Sequence, residues 1–211
     1  MADLAVKPIF ILGKDNENGK NKLNSKDLIN IGIYTAMYLV VFFVVGMMNA
    51  VPILYPISLF FVPIVTGIPF MLFATKVKKS GMVFIMALIL GLFWFALGYT
   101  WTPLVSYIVA GILAEIFFKV AKFQNFKLIV MGYCVFSWGA IGCCMPMWVM
   151  TDTYMAHIEE EMGSQYVTQL MQYMPWWMGI AGLGIIFIGG LIGAALGKKM
   201  LKKHFKRPGI A

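Results

Sequence analysis

Few side chains in this sequence are of types that perform chemistry, and their spacing matches no catalytic motif. His157 stands just before the acidic residues 159–161, and such a group could bind a metal ion or move a proton. The spacing is not HExxH and no second histidine follows nearby, so a solvated acidic face is the favoured interpretation. The GxxxxGK[ST] loop that binds ATP and the GxSxG turn of a nucleophilic serine are both absent. We therefore expect a protein that is not an enzyme, with no cofactor and no metal site of its own.

Two other groups of reactive side chains have ordinary explanations. Cys134, Cys143 and Cys144 are an odd set with two adjacent members, which is not the pattern of a disulfide framework. Apolar thiols within a helix are the default, although an adjacent thiol pair beside methionines would also suit a soft metal ion. Glu115 stands four residues before Lys119, so an ion pair along one helix face is the simple account, and a buried functional acid is the alternative.

The abundant residue types are those that bind ligands rather than react with them. Trp and Tyr collect toward one end of the predicted helices, together with several methionines, and Trp138 lies mid-helix, where its indole N–H needs a partner. Interfacial belts contain Trp and Tyr in any membrane protein, but crowding at a single interface favours a pocket. The candidate binding residues are Asn49, Trp94, Tyr99, Trp101, Trp138, Met145, Trp148, Asp152 and His157. The aromatic rings would stack on a flat or apolar ligand (a tetrapyrrole is one example), and Asn49, Asp152 and His157 would orient it.

Composition indicates what must position these residues. The chain has 211 residues, of which 61% are hydrophobic and 12% charged, with a mean hydropathy of +0.82. A soluble domain has about 45–50% apolar and about 25% charged residues. A soluble enzyme or a nucleic-acid-binding protein is therefore excluded despite the net charge of +8, and we expect an integral membrane protein.

The uncharged stretches predict six membrane-spanning helices and an all-α bundle. Each span needs about 20 apolar residues to cross the hydrocarbon layer, and the apolar runs do not alternate as in a β-barrel. The predicted spans are 28–50, 56–75, 81–99, 103–119, 127–150 and 178–198.

The charge distribution predicts the orientation of this bundle. All 17 Lys and Arg residues fall on one side, whereas Asp152 and residues 159–161 fall on the other. Loops rich in Lys and Arg remain in the cytoplasm. Both termini are therefore expected to be cytoplasmic in a multi-pass protein of the cell membrane, with the basic side contacting anionic lipid headgroups.

Outside the spans, we expect a flexible cytosolic tail at 1–27, a membrane domain at 28–198 and a basic cytosolic tail at 199–211. Asn24 or Ser25 would cap the first helix. Residues 151–177 have apolar positions at helical spacing, interrupted by Gly163, which predicts one or two short amphipathic helices lying over the bundle as a lid, with Asp152 as the cap.

Small residues mark two faces where helices could approach closely. The last helix contains Gly189, Gly193 and Gly197, for which packing inside the protein is favoured. The first helix contains Gly32 and Ala36, for which internal packing and docking of a partner are equally good accounts.

The sequence NSKDLINIG at residues 24–32 and GIPFMLFATKVKKSG at 67–81 resembles the Trep_Strep (MptS) family of S components of energy-coupling factor (ECF) transporters. The resemblance runs from about residue 24 to the C-terminus. It implies a six-helix subunit that captures a micronutrient outside the cell and then associates with a T subunit and two cytosolic ATPases. Many S components dock through an Ala-x-x-x-Ala face on helix 1, and the matching positions here are Gly32 and Ala36. Cobalt and nickel S components begin with Met-His; this chain begins Met-Ala-Asp, which argues against that metal mechanism.

The expected function is therefore substrate capture for an ATP-driven micronutrient importer, with a small organic nutrient as the ligand and no nucleic acid among the partners. A stand-alone secondary transporter or channel is the alternative, and a membrane enzyme or assembly factor is a more remote one.

Overall fold

The computed structural model describes residues 23–77 and 79–205, with side chains through residue 201. This part of the chain consists of helices and short connections, without a β-strand. Helix α1 is followed by two 3₁₀ turns, Met47–Ala50 and Pro52–Leu54, and a third 3₁₀ segment, Trp138–Cys143, follows α5. The helices are α1 (Ser25–Gly46), α2 (Tyr55–Ala74), α3 (Met82–Ala96), α4 (Trp101–Val120), α5 (Phe126–Ser137), α6 (Pro146–Val149), α7 (Thr151–Met162), α8 (Ser164–Tyr173) and α9 (Met178–Phe205).

The all-helical membrane architecture is confirmed. Five segments are long and apolar enough to cross a bilayer, and α3 is a shorter apolar helix in the position of the remaining predicted span. The five are Ser25–Ala50, Pro52–Ala74, Trp101–Val120, Phe126–Cys143 and Met178–Leu201. The last helix continues through Phe205 into the predicted basic tail, whereas residues 1–22 of the predicted N-terminal tail and residues 206–211 lie outside the described residues.

The six long helices form a closed ring. Helix α1 packs on α2, α2 on α9, α9 on α5, α5 on α4, α4 on α3, and α3 returns to α1. Their alternating direction brings the start of α1 and the end of α9 to the same end of the bundle. We call this the lysine-rich end, since it has Lys26, Lys76, Lys79, Lys119, Lys127 and Lys198; the opposite end, covered by α7 and α8, is the lid end.

At the lysine-rich end, the start of α1 is fixed by local hydrogen bonds. The Asn24 side chain accepts a hydrogen bond from the Asp27 backbone N–H at 2.9 Å, and the Asp27 carboxylate accepts one from the Asn24 backbone N–H at 2.9 Å. Of the two predicted caps, Asn24 is confirmed, and the pair forms a capping box. Lys79 also contacts Asp27 at 2.7 Å, which ties the α2–α3 turn to α1.

Glu115 has a different partner from the one that its spacing suggests. Its carboxylate is buried and accepts hydrogen bonds from the backbone N–H groups of Gly81, Val83 and Phe84, at 2.6, 3.2 and 3.3 Å. These groups belong to the first turn of α3, where the helix dipole favours a negative charge. Glu115 therefore joins α4 to the start of α3.

The most extensive contact between two of the described helices is that of α2 with α9, and glycine allows their backbones to approach closely. A Cβ atom on Gly193 would lie 2.3 Å from the backbone oxygen of Pro63, and one on Gly67 would lie 2.5 Å from the Gly193 backbone. A Cβ atom on Gly189 would likewise lie 2.5 Å from the backbone oxygen of Phe60. The prediction that the glycines of the last helix serve internal packing is confirmed.

The predicted fifth span, 127–150, is wrong as a continuous helix. After Ser137 the chain becomes a 3₁₀ helix, because Gly139 and Gly142 allow its backbone to approach α4 closely. The Ser106 hydroxyl donates to the Gly139 oxygen at 2.8 Å, and the Thr102 hydroxyl donates to the Gly142 oxygen at 2.9 Å. These bonds satisfy carbonyls that an interrupted helix would otherwise leave unpaired in the apolar layer.

Residues 151–177 contain two short helices with apolar inner faces, as the spacing predicts, and we call this segment the lid. Helices α7 and α8 are separated by Gly163, whose φ of +85° is readily adopted by glycine. Their inner faces bury Met155, Val167 and Leu170. Asp152 does not cap α7 as predicted: it lies in the first turn, after the cap position at Met150.

Candidate functional site

A cavity of about 510 Å³ lies at the lid end, between two hydrophobic cores. One core fills the middle of the bundle, and the other joins the lid to α2, α9 and the segment around residue 144. The walls therefore come from the end of α1 and its 3₁₀ turn, the first half of α2, the end of α3, residues 140–147 and the two lid helices. This is the end at which the sequence predicts a pocket.

Three of the candidate binding residues line this cavity, namely Asn49, Trp94 and Tyr99. The indole of Trp94 is almost fully buried and contacts the rings of Phe42 at 5.0 Å and Tyr99 at 5.1 Å, measured between ring centroids. The Asn49 side-chain oxygen is buried and has no hydrogen-bond partner among the described residues, whereas the Trp94 indole N–H lies close to the Tyr107 hydroxyl. A buried polar group without a partner is costly, so the Asn49 oxygen is suited to accept a hydrogen bond from a ligand or from water.

Trp138 and Trp148 are outside the cavity wall, and their indole groups have structural partners. Trp138 donates to the backbone oxygen of Leu183 at 3.0 Å, which joins the 3₁₀ segment to α9. Trp148 donates to the backbone oxygen of Met174 at 3.0 Å, at the end of the lid. The partner that the Trp138 indole N–H was expected to need is therefore a backbone oxygen of α9.

The other four candidates also lie away from the cavity wall. Trp101 is 49% exposed at the start of α4, and Met145 packs against the lid core. Asp152 and His157 are on the exposed face of α7, where His157 lies 3.4 Å from the Glu161 carboxylate. Within the described part of the chain, no group of three or more His, Cys, Asp or Glu side chains could hold a metal ion.

The cavity wall contains polar residues that the sequence analysis did not single out as binding residues. Among them are Tyr55, Tyr154, Glu161 and Tyr166. Tyr154 and Glu161 are seven residues apart on α7 and therefore share one helix face, a signal that was available in the sequence. The run 159–161 has the pattern of a solvated face, and this pattern does not distinguish Glu161, which lines the cavity, from its exposed neighbours.

The phenols around the cavity remain uncharged at physiological pH. Burial, with the thiols of Cys143 and Cys144 nearby, raises the pKa of Tyr99 to about 12. Burial and the neighbouring Tyr99 also raise the pKa of Tyr154, and burial alone raises the pKa of Tyr166. Among the residues that line the cavity, only Glu161 is of a type that is charged near neutral pH.

The chain matches the family described as hypothetical bacterial integral membrane proteins (Trep_Strep) over residues 25–207. It belongs to the Trep_Strep family. No curated protein and no solved structure matches it. The matched range contains every long helix and the lid, so the cavity lies entirely within the Trep_Strep domain.

In this Trep_Strep protein, the small-residue pair of α1 faces outward. Gly32 and Ala36 are exposed, and a Cβ atom on Gly32 would meet nothing within 4 Å. Ile33 and Val40 on the same helix are also more than half exposed. Unlike the glycines of α9, this pair does not serve packing inside the described protein.

Proposed function

We propose that this Trep_Strep protein is the substrate-binding S component of an ATP-driven ECF-type importer. It binds a small organic nutrient in the cavity at the lid end, and a T subunit with two cytosolic ATPases supplies the energy. The observation that carries the proposal is the combination of a lidded cavity with an uncovered small-residue face on α1. The protein itself performs no catalysis in this scheme.

The charge distribution supports the direction of transport. Lysines gather at one end of the bundle, and the acidic residues 159–161 lie at the other, beside the cavity. Lys-rich loops remain cytoplasmic, so the cavity opens to the outside and both termini are in the cytoplasm of the cell. Capture of an external nutrient needs this arrangement.

The proposed importer role can be tested at the exposed small residues of α1, Gly32 and Ala36. A leucine at Gly32 or Ala36 adds bulk where a partner helix would need close approach. We expect Gly32→Leu and Ala36→Leu to abolish copurification of the T subunit and ATPases and to abolish ATP-dependent uptake. Ligand binding by the isolated protein should be unchanged, because both residues are remote from the cavity wall.

Ala195→Leu is the matched control, since Ala195 is an exposed small residue on α9. It should leave the complex and uptake intact. Uptake and copurification that persist in both α1 variants would refute the docking assignment. Transport by the purified protein in liposomes without ATP would instead establish a stand-alone secondary carrier.

A further inference from the structure

The mouth of the cavity has an arrangement of rings and charge that the proposed function does not use. Tyr99, Tyr154 and Tyr166 all line the cavity, and Tyr154 is near both of the others. Glu161 lines the same region and is close enough to Tyr99 to interact with it electrostatically. Three phenol rings and one carboxylate therefore line the same cavity.

The rings are held in place by the surrounding structure. Tyr99 packs against Trp94 with the two ring planes at 70°, so the edge of one ring meets the face of the other. The Tyr166 hydroxyl donates a hydrogen bond to the backbone oxygen of Asn49, which fixes α8 to the turn after α1. A preformed site of this kind loses little entropy when a ligand binds.

The charge of the residues that line the cavity favours a cationic ligand over an anionic one. No Lys or Arg is among the described residues that line the cavity, and Glu161 is its single carboxylate. The Glu161 side chain is 60% exposed, so it is available to a ligand that enters from the aqueous side. His157 lies 3.4 Å from the Glu161 carboxylate but is not itself a lining residue. An anionic ligand would therefore meet a like charge with no Lys or Arg beside it, whereas a cation would meet a carboxylate and aromatic rings.

We propose that the cavity mouth binds an organic monocation, a quaternary ammonium or protonated amine, between Tyr99, Tyr154, Tyr166 and Glu161. The apolar body of the ligand then fills the deeper cavity beside Trp94. That this cation is the transported nutrient rests on the proposed function as an importer. A phospholipid headgroup such as that of phosphatidylcholine carries the same kind of cation, and the test separates the two sources.

Two probes of similar shape and opposite charge test the site. Benzyltrimethylammonium and benzylsulfonate share a ring and linker, and each ends in a compact tetrahedral group. Binding to the purified full-length protein is measured by titration calorimetry. We expect the cation to bind at least about 10-fold more tightly, which corresponds to about 1.4 kcal/mol and lies within the range of cation–π contacts. Equal affinities, or no binding of the cation, would overturn the proposal.

Variants separate the carboxylate from the rings. Glu161→Gln keeps the side-chain shape and should weaken binding of the cation by about 3- to 5-fold, as expected for an exposed ion pair. Glu160→Gln is the matched control, because Glu160 is exposed and outside the cavity wall. Tyr99→Phe should preserve affinity, whereas Tyr99→Leu should reduce it by about 10-fold through loss of the ring face. Identical affinities in wild type, Glu161→Gln and Tyr99→Leu would refute the site.

The lipid source is tested in nanodiscs. Equal affinity for benzyltrimethylammonium in phosphatidylcholine and in phosphatidylglycerol nanodiscs supports a soluble cation as the ligand. Competition by phosphatidylcholine would overturn that assignment and identify a headgroup site. If the protein docks to the T subunit but does not bind the cation, the cation site is rejected and the importer proposal stands. If it binds the cation but does not dock, the importer proposal is rejected and the cation site stands.

Discussion

Glu115 is a charged side chain held within an apolar bundle by backbone partners. Its carboxylate accepts three hydrogen bonds from the first turn of α3. Each donor would otherwise be an unpaired N–H at a helix start. The carboxylate therefore satisfies the helix end and also positions α3 against α4.

Removing this acceptor should destabilise the protein. We expect Glu115→Leu to lower the free energy of unfolding by about 2 kcal/mol or more, because it leaves buried N–H groups without a partner. Glu115→Gln retains an acceptor oxygen and should cost less. Thermal unfolding in detergent ranks the variants by stability, and Glu159→Gln is the control because Glu159 is exposed. Equal stability of the Leu and Gln variants would show that the hydrogen bonds contribute nothing.

Residue-level prediction succeeded where the partner is local in sequence. The Asn24 cap and Asp27 are three residues apart, a spacing that capping rules recognise. The partners of Glu115 are 31 to 34 residues away, and those of Trp138 and Trp148 are 45 and 26 residues away. No local pattern specifies such contacts, so these side chains could be assigned only from the folded chain.

Among the helices, α2 and α9 depend most on small residues for their contact. The Pro63 backbone oxygen occupies the space that a Cβ atom on Gly193 would need. Since backbone atoms of a packed helix cannot move aside alone, a side chain there must separate the two helices.

We therefore expect Gly193→Ala to destabilise the protein by about 1–3 kcal/mol, the usual cost of overpacking. Gly184→Ala is the control on the same helix, because a Cβ atom at Gly184 would meet nothing within 4 Å. That substitution should be neutral or slightly stabilising, since alanine favours helix more than glycine does. Thermal unfolding of both variants in one detergent provides the comparison, and a Gly193→Ala variant as stable as wild type would contradict the contact.

Helix number and approximate bounds followed from the sequence because apolar stretches and charged turns alternate clearly. The change to a 3₁₀ helix at Trp138 did not follow, because Gly139 and Gly142 lie in an apolar run whose hydropathy is the same in either conformation. The hydroxyls that stabilise it come from another helix, α4. Similarly, aromatic crowding predicted a pocket at the end where the cavity lies, but the residues that line the cavity depend on how four separated stretches of the chain fold together.

The orientation of the whole molecule can be tested by cysteine labelling. If the lysine-rich end is cytoplasmic, Lys127→Cys should resist a membrane-impermeant thiol reagent in intact cells and react after permeabilisation. Glu160→Cys, on the exposed face of the lid, should react in intact cells. The wild-type protein is the control, since its three cysteines are buried. Labelling of Lys127→Cys from outside would reverse the orientation and with it the proposed direction of capture.

The length of α3 has a consequence for the surrounding lipid. Its 15 residues extend about 22 Å at 1.5 Å per residue, whereas the hydrocarbon layer is about 30 Å thick. Ile89, Leu92 and Phe95 face outward along this helix. Hydrophobic mismatch of this kind thins the adjacent leaflets at a cost of a fraction of a kcal/mol per Å. We therefore expect the bilayer to be thinner on the α3 side, and short-chain lipids to fit there with the least strain.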